Sequence, residues 1–388
     1  MVLKTTIKMK KSIIILLLFI RLSGFSQDIN NEPVKVDSTS FIKNFIKKNK
    51  SDDKSLKIGG HYMVSYYYEN EDGKTDNYFK LKRGYISLTK KFTDYFSAKI
   101  TPDISLDNEG DGLGDIELRL KYLYGQFHLP DFLFFKEPDI KFGLNPRPWL
   151  GYEQKINAYK VQGKMYIEKY KIINSTDLGL TFSTLLGGKL DDDYLKNVNK
   201  NYAGKYGSLS FGIYNGGGYH AVETNDNKTM EWRLSLRPLH QIIPGLQFTY
   251  YGAYGKGNIS SEPNFDMHSG YISYESKNLA VAAQYYYGHG NSSGSLLDTI
   301  TGVVSENAGM SFFYEFRVPK YKFAQFARID YFNKHLYLEN HQKTCLIAGL
   351  SYKFYKKSQF IFSYETLLDE DYQFTDNYIL QLALEIKF

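Results

Sequence analysis

The chain has 388 residues, with 35 Tyr and 27 Phe against 2 Trp and 1 Cys, and a formal net charge of +6. An aromatic fraction of 16% is unusual for a soluble enzyme of this length and typical of a membrane β-barrel with aromatic girdles. The single cysteine, Cys345, excludes a framework of intramolecular disulfides.

The first 26 residues have the pattern of a secretory signal peptide. Lysines precede an apolar run from Ile13 to Ile20, and the small residues of Gly24 to Ser26 form a cleavage region. Met1 and Met9 are both candidate starts. The signal contains five of the 48 basic residues and no acidic residue, which leaves 43 Lys+Arg against 42 Asp+Glu. A net charge of +1 gives no support for a nucleic-acid partner.

Residues 27–55 are polar and rich in lysine, which predicts a periplasmic lead-in or a small plug; docking of a partner is the alternative. Residues 56–388 are predicted to form one all-β domain, a transmembrane antiparallel β-barrel of about 16 strands. The strands are predicted from period-two alternation between turn residues. They are Leu56 to Tyr68, Tyr78 to Lys91, Tyr95 to Leu106, Ile116 to His128, Asp139 to Trp149, Asp177 to Leu186, Tyr206 to Asn215, Glu231 to Pro238, Leu246 to Tyr254, Asp266 to Glu275, Leu279 to Tyr287, Ala308 to Val318, Phe323 to Phe332, Thr344 to Phe354, Ser358 to Leu367 and Asn377 to Phe388.

The last segment shows the alternation clearly. Leu380, Leu382 and Leu384 alternate with polar residues such as Gln381 and Glu385, so a strand here has one apolar and one mostly polar face. A charge facing lipid near the bilayer midplane would cost about 2 to 4 kcal/mol, so the apolar faces point to lipid. The polar faces therefore line a lumen, which is wide enough for water in a barrel of roughly sixteen strands.

The connections between the predicted strands alternate between short and long, as expected for periplasmic turns and external loops. One connection breaks this pattern, because Gly187 to Lys205 should be periplasmic and yet is long. The residues predicted to line the pore are Arg83, Lys99, Asp103, Glu117, Arg119, Lys121, Lys141, Arg147, Arg233, Arg237, Glu315 and Arg317.

No cofactor, metal or catalytic site is predicted. The eight His residues do not have metal-ligand spacing, and no Ser and His pair could be defended as nucleophile and base. The acidic turn from Asp107 to Gly112 lacks the acid that completes a calcium loop, so a hydrophilic external turn is the better interpretation. The sequence therefore argues against an enzyme.

Short stretches spread over the predicted barrel resemble the phosphate-selective porin family of bacterial outer membranes. They are Phe79 to Leu88, Phe92 to Ile100, Phe142 to Leu144, Asp177 to Gly179, Tyr214 to Gly216 and Arg328 to Asp330. The signal ending Gly24 to Gln27 is similar to those of Bacteroidetes-type secreted proteins. The resemblance implies a Gram-negative outer membrane and a sixteen-stranded channel that is usually trimeric. It also implies an inward-folded third external loop, and a C-terminal Phe388 that the barrel-assembly machinery reads.

The loop in that position is Gly151 to Thr176, and its lysines are the predicted constriction residues: Lys155, Lys160, Lys164, Lys169 and Lys171. Surplus lysine at a constriction would favour anions. The alternative is a solvated external loop. Because the predicted lumen mixes both signs of charge, a general pore with weak anion preference is the expectation rather than strict phosphate specificity.

Two functions are compatible with this sequence. The first is a passive channel in the outer membrane lipid for small hydrophilic solutes or inorganic anions such as phosphate. The second is a non-transporting barrel that serves as a structural or secretion-complex component. The charged lumen argues against a transporter of hydrophobic substrates, and the short lead-in leaves no room for the plug domain of a TonB-dependent receptor.

Overall fold

The computed structural model describes residues 55–107, 114–160, 163–219, 221–298, 301–336, 342–368 and 373–388. The predicted signal peptide (1–26) and the predicted lead-in (27–55), apart from Ser55, lie outside these residues, as does most of the turn from Asp107 to Gly112. Among the described residues, no helix combines the length and the apolar character needed to cross a membrane, a finding that says nothing about crossing by β-strands.

Sixteen strands form one closed antiparallel barrel, as the sequence predicts. Each strand pairs with its neighbours in sequence, and the first strand pairs with the last. The strands are β1 Leu56–Glu71, β2 Lys74–Lys91, β3 Phe96–Leu106, β4 Ile116–His128, β5 Phe135–Pro146, β6 Thr176–Leu186, β7 Gly207–Tyr214, β8 Thr229–Leu236, β9 Leu246–Lys256, β10 Asn264–Glu275, β11 Leu279–His289, β12 Glu306–Arg317, β13 Phe323–Asn333, β14 Gln342–Tyr355, β15 Ser358–Leu368 and β16 Phe374–Lys387.

The seam between β1 and β16 closes the barrel with ten residue pairs, from His61 opposite Lys387 to Asn70 opposite Tyr378. The chain end extends this ladder, because Gly60 and Phe388 exchange two backbone hydrogen bonds of 3.2 and 3.0 Å. The Phe388 ring lies directly over Gly60, where a Cβ atom would collide with it. Only glycine therefore lets the terminal ring occupy this place.

The two faces of the strands differ as the alternation predicts. Leu382 on β16 and Phe312 on β12 point outwards and are 53% and 50% exposed. Gln381 and Glu385, at alternate positions of β16, point inwards and are buried. An apolar outer face suits hydrocarbon, and closure leaves no unpaired strand edge in the membrane. The fold is thus a membrane-spanning barrel with a polar and partly charged interior.

The connection between β1 and β2 differs from its prediction. Residues 69–77 were expected to form an external loop, but the strands continue to Glu71 and from Lys74, joined by the two-residue turn Asp72-Gly73. Both turn residues have positive φ, 50° and 78°, as a tight hairpin turn requires. The polar residues on either side fit strands that extend beyond the hydrocarbon into water.

Among the described residues, three short helices occur in two of the connections. α1 Leu150–Ile156 and α2 Tyr166–Lys169 lie between β5 and β6, and α3 Asp192–Asn197 lies between β6 and β7. The Asp191 side chain caps α3 by accepting a 2.8 Å hydrogen bond from the Tyr194 N–H. The connection between β6 and β7 starts at the end of the barrel with the short turns, which we call the periplasmic end.

Candidate functional site

The connection between β5 and β6, residues 147–175, folds into the barrel, and we call it the inner loop. Ten of its apolar side chains are no more than 2% exposed: Trp149, Leu150, Tyr152, Ile156, Tyr159, Met165, Tyr166, Ile167, Ile172 and Ile173. A loop in external solvent could not bury so many apolar groups. The inner loop is therefore enclosed by the strands.

Three tyrosines of the inner loop bond to the inward face of the opposite wall. The Tyr152 hydroxyl lies 2.9 Å from the Thr249 hydroxyl on β9, and the Tyr159 hydroxyl donates to Glu315 on β12 at 2.8 Å. The Tyr166 hydroxyl donates to the backbone carbonyl of β13 at residue 331, at 2.9 Å. These contacts hold the loop against β9 to β13.

Apolar side chains on the inward faces of β9 to β15 pack against the inner loop. The Tyr159 ring stacks on Phe326 at 4.0 Å, and the Tyr170 ring stacks on Phe332 at 4.4 Å. The same hydrophobic core contains Met267, Phe313 and other buried residues of these strands. This half of the interior is thus filled, so an aqueous path has to lie on the other side of the loop.

The first residue of the inner loop is held by buried charges. Arg147 Nη2 donates to Asp177 Oδ2 at 2.6 Å, and Arg147 Nη1 lies 3.0 Å from Glu231. The same Asp177 oxygen accepts the backbone N–H of Gly216 at 2.8 Å. All three charged side chains are at most 1% exposed, and removing one partner of such a group costs about 3 to 5 kcal/mol.

The long connection between β6 and β7, residues 187–206, reaches the inner loop from the periplasmic end; we call it the lower loop. Asn199 donates to the Lys155 carbonyl and to Glu275, both at 3.0 Å. The guanidinium of Arg233 lies 4.4 Å from the Tyr152 ring and 4.8 Å from the Tyr202 ring. The two loops therefore contact each other inside the barrel.

Three of the residues predicted to line the pore are buried next to the two loops. Arg147, Arg233 and Arg237 point into the barrel, but each is no more than 1% exposed, so none of them contacts the open lumen. The reason is the two loops, which cover these side chains. Arg237 contacts Tyr194 of the lower loop, and Arg233 donates to the Pro148 carbonyl of the inner loop.

Sequence reasoning missed the lower-loop residues that cause this burial, Tyr194, Asn199 and Tyr202. The available signal was the length of the connection, which is anomalous for a periplasmic turn. An extra segment of this size at the periplasmic end either projects from the barrel or folds back into it. Its apolar residues Leu190, Tyr194 and Ala203, which form a small core of their own, favour the second arrangement.

The unfilled half of the interior contains a cavity of about 480 Å³ between the inner loop and β1 to β4, which we call the basic cavity. Four tyrosines line it: Tyr67, Tyr78, Tyr85 and Tyr219. Its charged lining comprises seven basic and three acidic side chains: Lys80, Lys82, Arg83, Arg119, Lys121, Lys160 and Lys164 against Glu69, Asp103 and Glu168. With every basic group protonated, the cavity therefore has an excess of four positive charges.

Four of these lysines, Lys80, Lys121, Lys160 and Lys164, form no ion pair with a carboxylate anywhere in the described chain. Tyrosine rings surround two of them instead. Lys121 Nζ lies 5.3 Å from the centre of the Tyr85 ring, and Lys160 Nζ lies 5.6 Å from the same ring. The electron-rich ring faces stabilise these cations without neutralising them.

Other charges of the basic cavity are neutralised locally. Arg83 donates to Asp103 at 2.8 Å, and Arg119 pairs with Glu117, two residues away on the same face of β4. No group of three His, Cys, Asp or Glu side chains suited to holding a metal ion occurs in the part of the chain that the structure describes. The chemistry of this cavity is that of an anion-attracting surface.

The remaining predicted site residues are distributed around the loops. Lys99 lies over the Tyr122 ring at 5.2 Å, Lys141 pairs with Asp139 at 2.6 Å, and Arg317 pairs with Glu315 at 2.6 Å. Of the predicted constriction lysines, only Lys160 and Lys164 line the basic cavity. Lys169 pairs with Glu365 at 2.7 Å, and the side chains of Lys155 and Lys171 are exposed elsewhere on the inner loop.

Two ionisable groups of the inner loop, Lys160 and Glu153, have pKa values shifted to near neutral pH. Desolvation, with the nearby charges of Lys121, Lys155 and Lys387, lowers the pKa of Lys160 to about 7. Desolvation also raises the pKa of Glu153 to about 8, against the opposing effect of Arg328. At neutral pH Glu153 is therefore mostly protonated, and the charge of Lys160 depends on pH near neutrality.

No protein-family model matches the chain, and no curated protein is similar to it. Among solved structures, the barrel is similar to OmpF of Salmonella typhi in complex with daunomycin, with a TM-score of 0.57, 12% identity and coverage of 86% of this chain and 97% of that chain. It is also similar to an anion-selective porin from Comamonas acidovorans (TM-score 0.56, 9% identity, 86% and 99%). A third similar structure is the outer membrane channel DcaP of Acinetobacter baumannii (TM-score 0.55, 11% identity, 86% and 97%).

These similarities show the fold, a porin-like barrel. Together with the closed sheet and its apolar outer face, they place the protein in the outer membrane of a Gram-negative bacterium, as the sequence predicts. They do not distinguish a phosphate-selective or Bacteroidetes-type barrel from other porin-like barrels.

Proposed function

We propose that this protein is a porin, a channel through which small hydrophilic solutes diffuse passively across the outer membrane, with a preference for anions. The observation that carries the proposal is the excess of four positive charges in the basic cavity. Low-dielectric walls strengthen the field of those charges and raise the local concentration of anions. Transport of this kind needs no catalytic residue.

The inner loop supplies part of the selectivity in this proposal. Lys160 and Lys164 extend from it toward β1 to β4, where Lys80 and Lys121 complete the basic lining. Because these four amino groups have no carboxylate partner, a passing anion is the charge that compensates them. The finer suggestion that phosphate is the preferred solute stays a prediction, since other small anions satisfy the same lysines.

A second candidate function is a non-transporting barrel with a structural role. The observation in its favour is the extent to which the inner loop and the lower loop fill the interior around Trp149 and Arg233. The two candidates differ in one measurable property, because only a channel conducts ions.

Purified protein in a planar lipid bilayer tests the proposal. The expected result is a steady conductance. In a KCl gradient, its reversal potential should lie toward the equilibrium potential of chloride. Folded barrels that do not conduct would contradict the channel and support the structural role. A reversal potential toward the equilibrium potential of potassium would contradict the anion preference. Folding is checked independently by the heat-dependent shift in gel mobility that closed barrels show.

We also propose that three copies associate in the membrane, as the resemblance to trimeric porins implies. The oligomer is tested by native mass spectrometry of the detergent-extracted protein. A trimer is the expected mass, and a monomer at all protein concentrations would contradict it.

A further inference from the structure

The basic cavity combines two kinds of lining that a simple anion path does not need together. The Tyr67 and Tyr78 rings stack at 5.4 Å with an interplanar angle of 19°, and Tyr78 remains partly exposed to the cavity. Lys82 Nζ lies 5.6 Å from the Tyr67 ring on the same wall. A flat aromatic surface is thus presented beside amino groups.

Lys121 is a buried basic group of the cavity that forms no ion pair among the described residues. Its side chain is 93% buried, since the residue is only 7% exposed. Its amino group makes one weak hydrogen bond, to Ser175 at 3.4 Å, and otherwise lies over tyrosine rings such as Tyr219 at 5.6 Å. Burying a charged ammonium group costs free energy unless an anion compensates the charge. This site therefore favours an anion that binds over one that only diffuses past.

The size of the cavity selects among anions. A volume of about 480 Å³ is in the range of sites that enclose organic ligands and is too large for one inorganic ion to fill. Four amino groups without carboxylate partners, on Lys80, Lys121, Lys160 and Lys164, match a ligand with more than one negative charge.

The tyrosine pair selects the ring. The Tyr67 and Tyr78 rings form one stacked pair, and both side chains belong to the lining of the cavity. A planar aromatic ring can stack on tyrosine, and an open-chain carboxylate of the same charge cannot.

We propose that the basic cavity is a binding site for aromatic polycarboxylates, with the ring on the Tyr67 and Tyr78 face and the carboxylates on the lysines. This inference rests on the proposed channel function and names its substrate class. Such a ligand would occupy the lumen and interrupt the chloride current while bound.

Block of the chloride current by two tricarboxylates of equal charge tests the inference. Benzene-1,3,5-tricarboxylate has an aromatic ring, and propane-1,2,3-tricarboxylate has none. We expect a half-blocking concentration about tenfold lower for the aromatic compound, as one aromatic stacking contact supplies. Equal block by both compounds in a channel that remains anion-selective would overturn the inference and leave the proposed function intact.

Variants separate the ring contact from the charge contact. The double variant Tyr67→Leu and Tyr78→Leu should reduce the ratio of the two half-blocking concentrations to about twofold or less, whereas Tyr285→Leu on the lipid-facing side should keep it at about tenfold. Lys121→Met should weaken block by both compounds alike. An unchanged ratio in the folded double variant would overturn the assignment of the ring. A bilayer without any conductance would instead contradict the proposed function.

Discussion

Stepwise reversal of charge in the basic cavity should reverse the ion selectivity of the channel. The seven basic and three acidic side chains of its lining give a net charge of +4. Lys164→Glu leaves six basic and four acidic groups, a net charge of +2. Adding Lys160→Glu gives five basic and five acidic groups, a net charge of zero. The triple variant, which adds Lys80→Glu, has four basic and six acidic groups and a net charge of −2.

The expected reversal potential follows these charges. In a tenfold KCl gradient, ideal selectivity for one ion gives about 59 mV, and the sign tells which ion carries the current. The unaltered channel should lie on the chloride side, the double variant close to zero and the triple variant on the potassium side. Measurement at pH 6 keeps Lys160 protonated in the variants that retain it, because the pKa of Lys160 is about 7.

The matched control is Lys320→Glu, which makes the same change of two charges in an exposed turn between β12 and β13. This variant should keep the potential of the unaltered channel. If the triple variant also kept it, ions would pass by a route that avoids Lys80, Lys160 and Lys164, and the reasoning from the basic cavity would be refuted.

Three further predictions concern the loop, its titration and the seam. Asp177→Asn, which weakens the bonds to Arg147 and Gly216, should lower the free energy of unfolding in lipid vesicles by about 3 kcal/mol, as measured by urea denaturation. Raising the pH from 6 to 8 should reduce chloride selectivity, because the lowered pKa of Lys160 means that its charge is present below about pH 7 and lost above it. Lys160→Met should make this dependence smaller, and the ionisation of Glu153, whose pKa is about 8, accounts for the remainder. Deletion of Phe388 should slow barrel assembly, and Gly60→Leu, which displaces the Phe388 ring, should slow it in the same direction, as followed by heat-modifiable gel mobility.

Each of these predictions has a control and a result against it. Asp115→Asn, on an exposed position, should not change stability, and equal losses in the two Asp variants would remove the special role of Asp177. A pH effect of unchanged size in Lys160→Met would show that Lys160 does not contribute to it. Normal assembly of the chain without Phe388 would show that the terminal ring is dispensable for closing the seam.

The strands and their faces could be predicted because the alternation of apolar and polar residues that defines a strand lies within that strand's own residues. The predicted fourth strand, Ile116 to His128, has the observed bounds of β4, and the alternation around Gln381 and Glu385 gave the correct inward face. Lipid outside and water inside enforce the alternation at every second residue. The tight turn at Asp72-Gly73 could also have been predicted, because this dipeptide favours a two-residue hairpin turn.

The interior could not be predicted in the same way, because its contacts join distant parts of the chain. The bond from Tyr159 to Glu315 spans 156 residues, and the bond from Asn199 of the lower loop to Lys155 of the inner loop spans 44. Alternation identifies Arg147 and Arg233 as inward-facing but cannot show that Tyr152 and Tyr202 cover one of them. Burial within a lumen is a tertiary property.

The unequal filling of the barrel has a consequence for how the protein can evolve. The inward residues of β9 to β15, such as Phe313 and Phe326, are buried in the hydrophobic core, so changes there alter stability. On the other side of the inner loop, Lys80, Arg119 and Lys121 of β2 and β4 line the basic cavity. New solute preferences can therefore arise on one arc of the wall by single substitutions, while the opposite arc keeps the scaffold rigid.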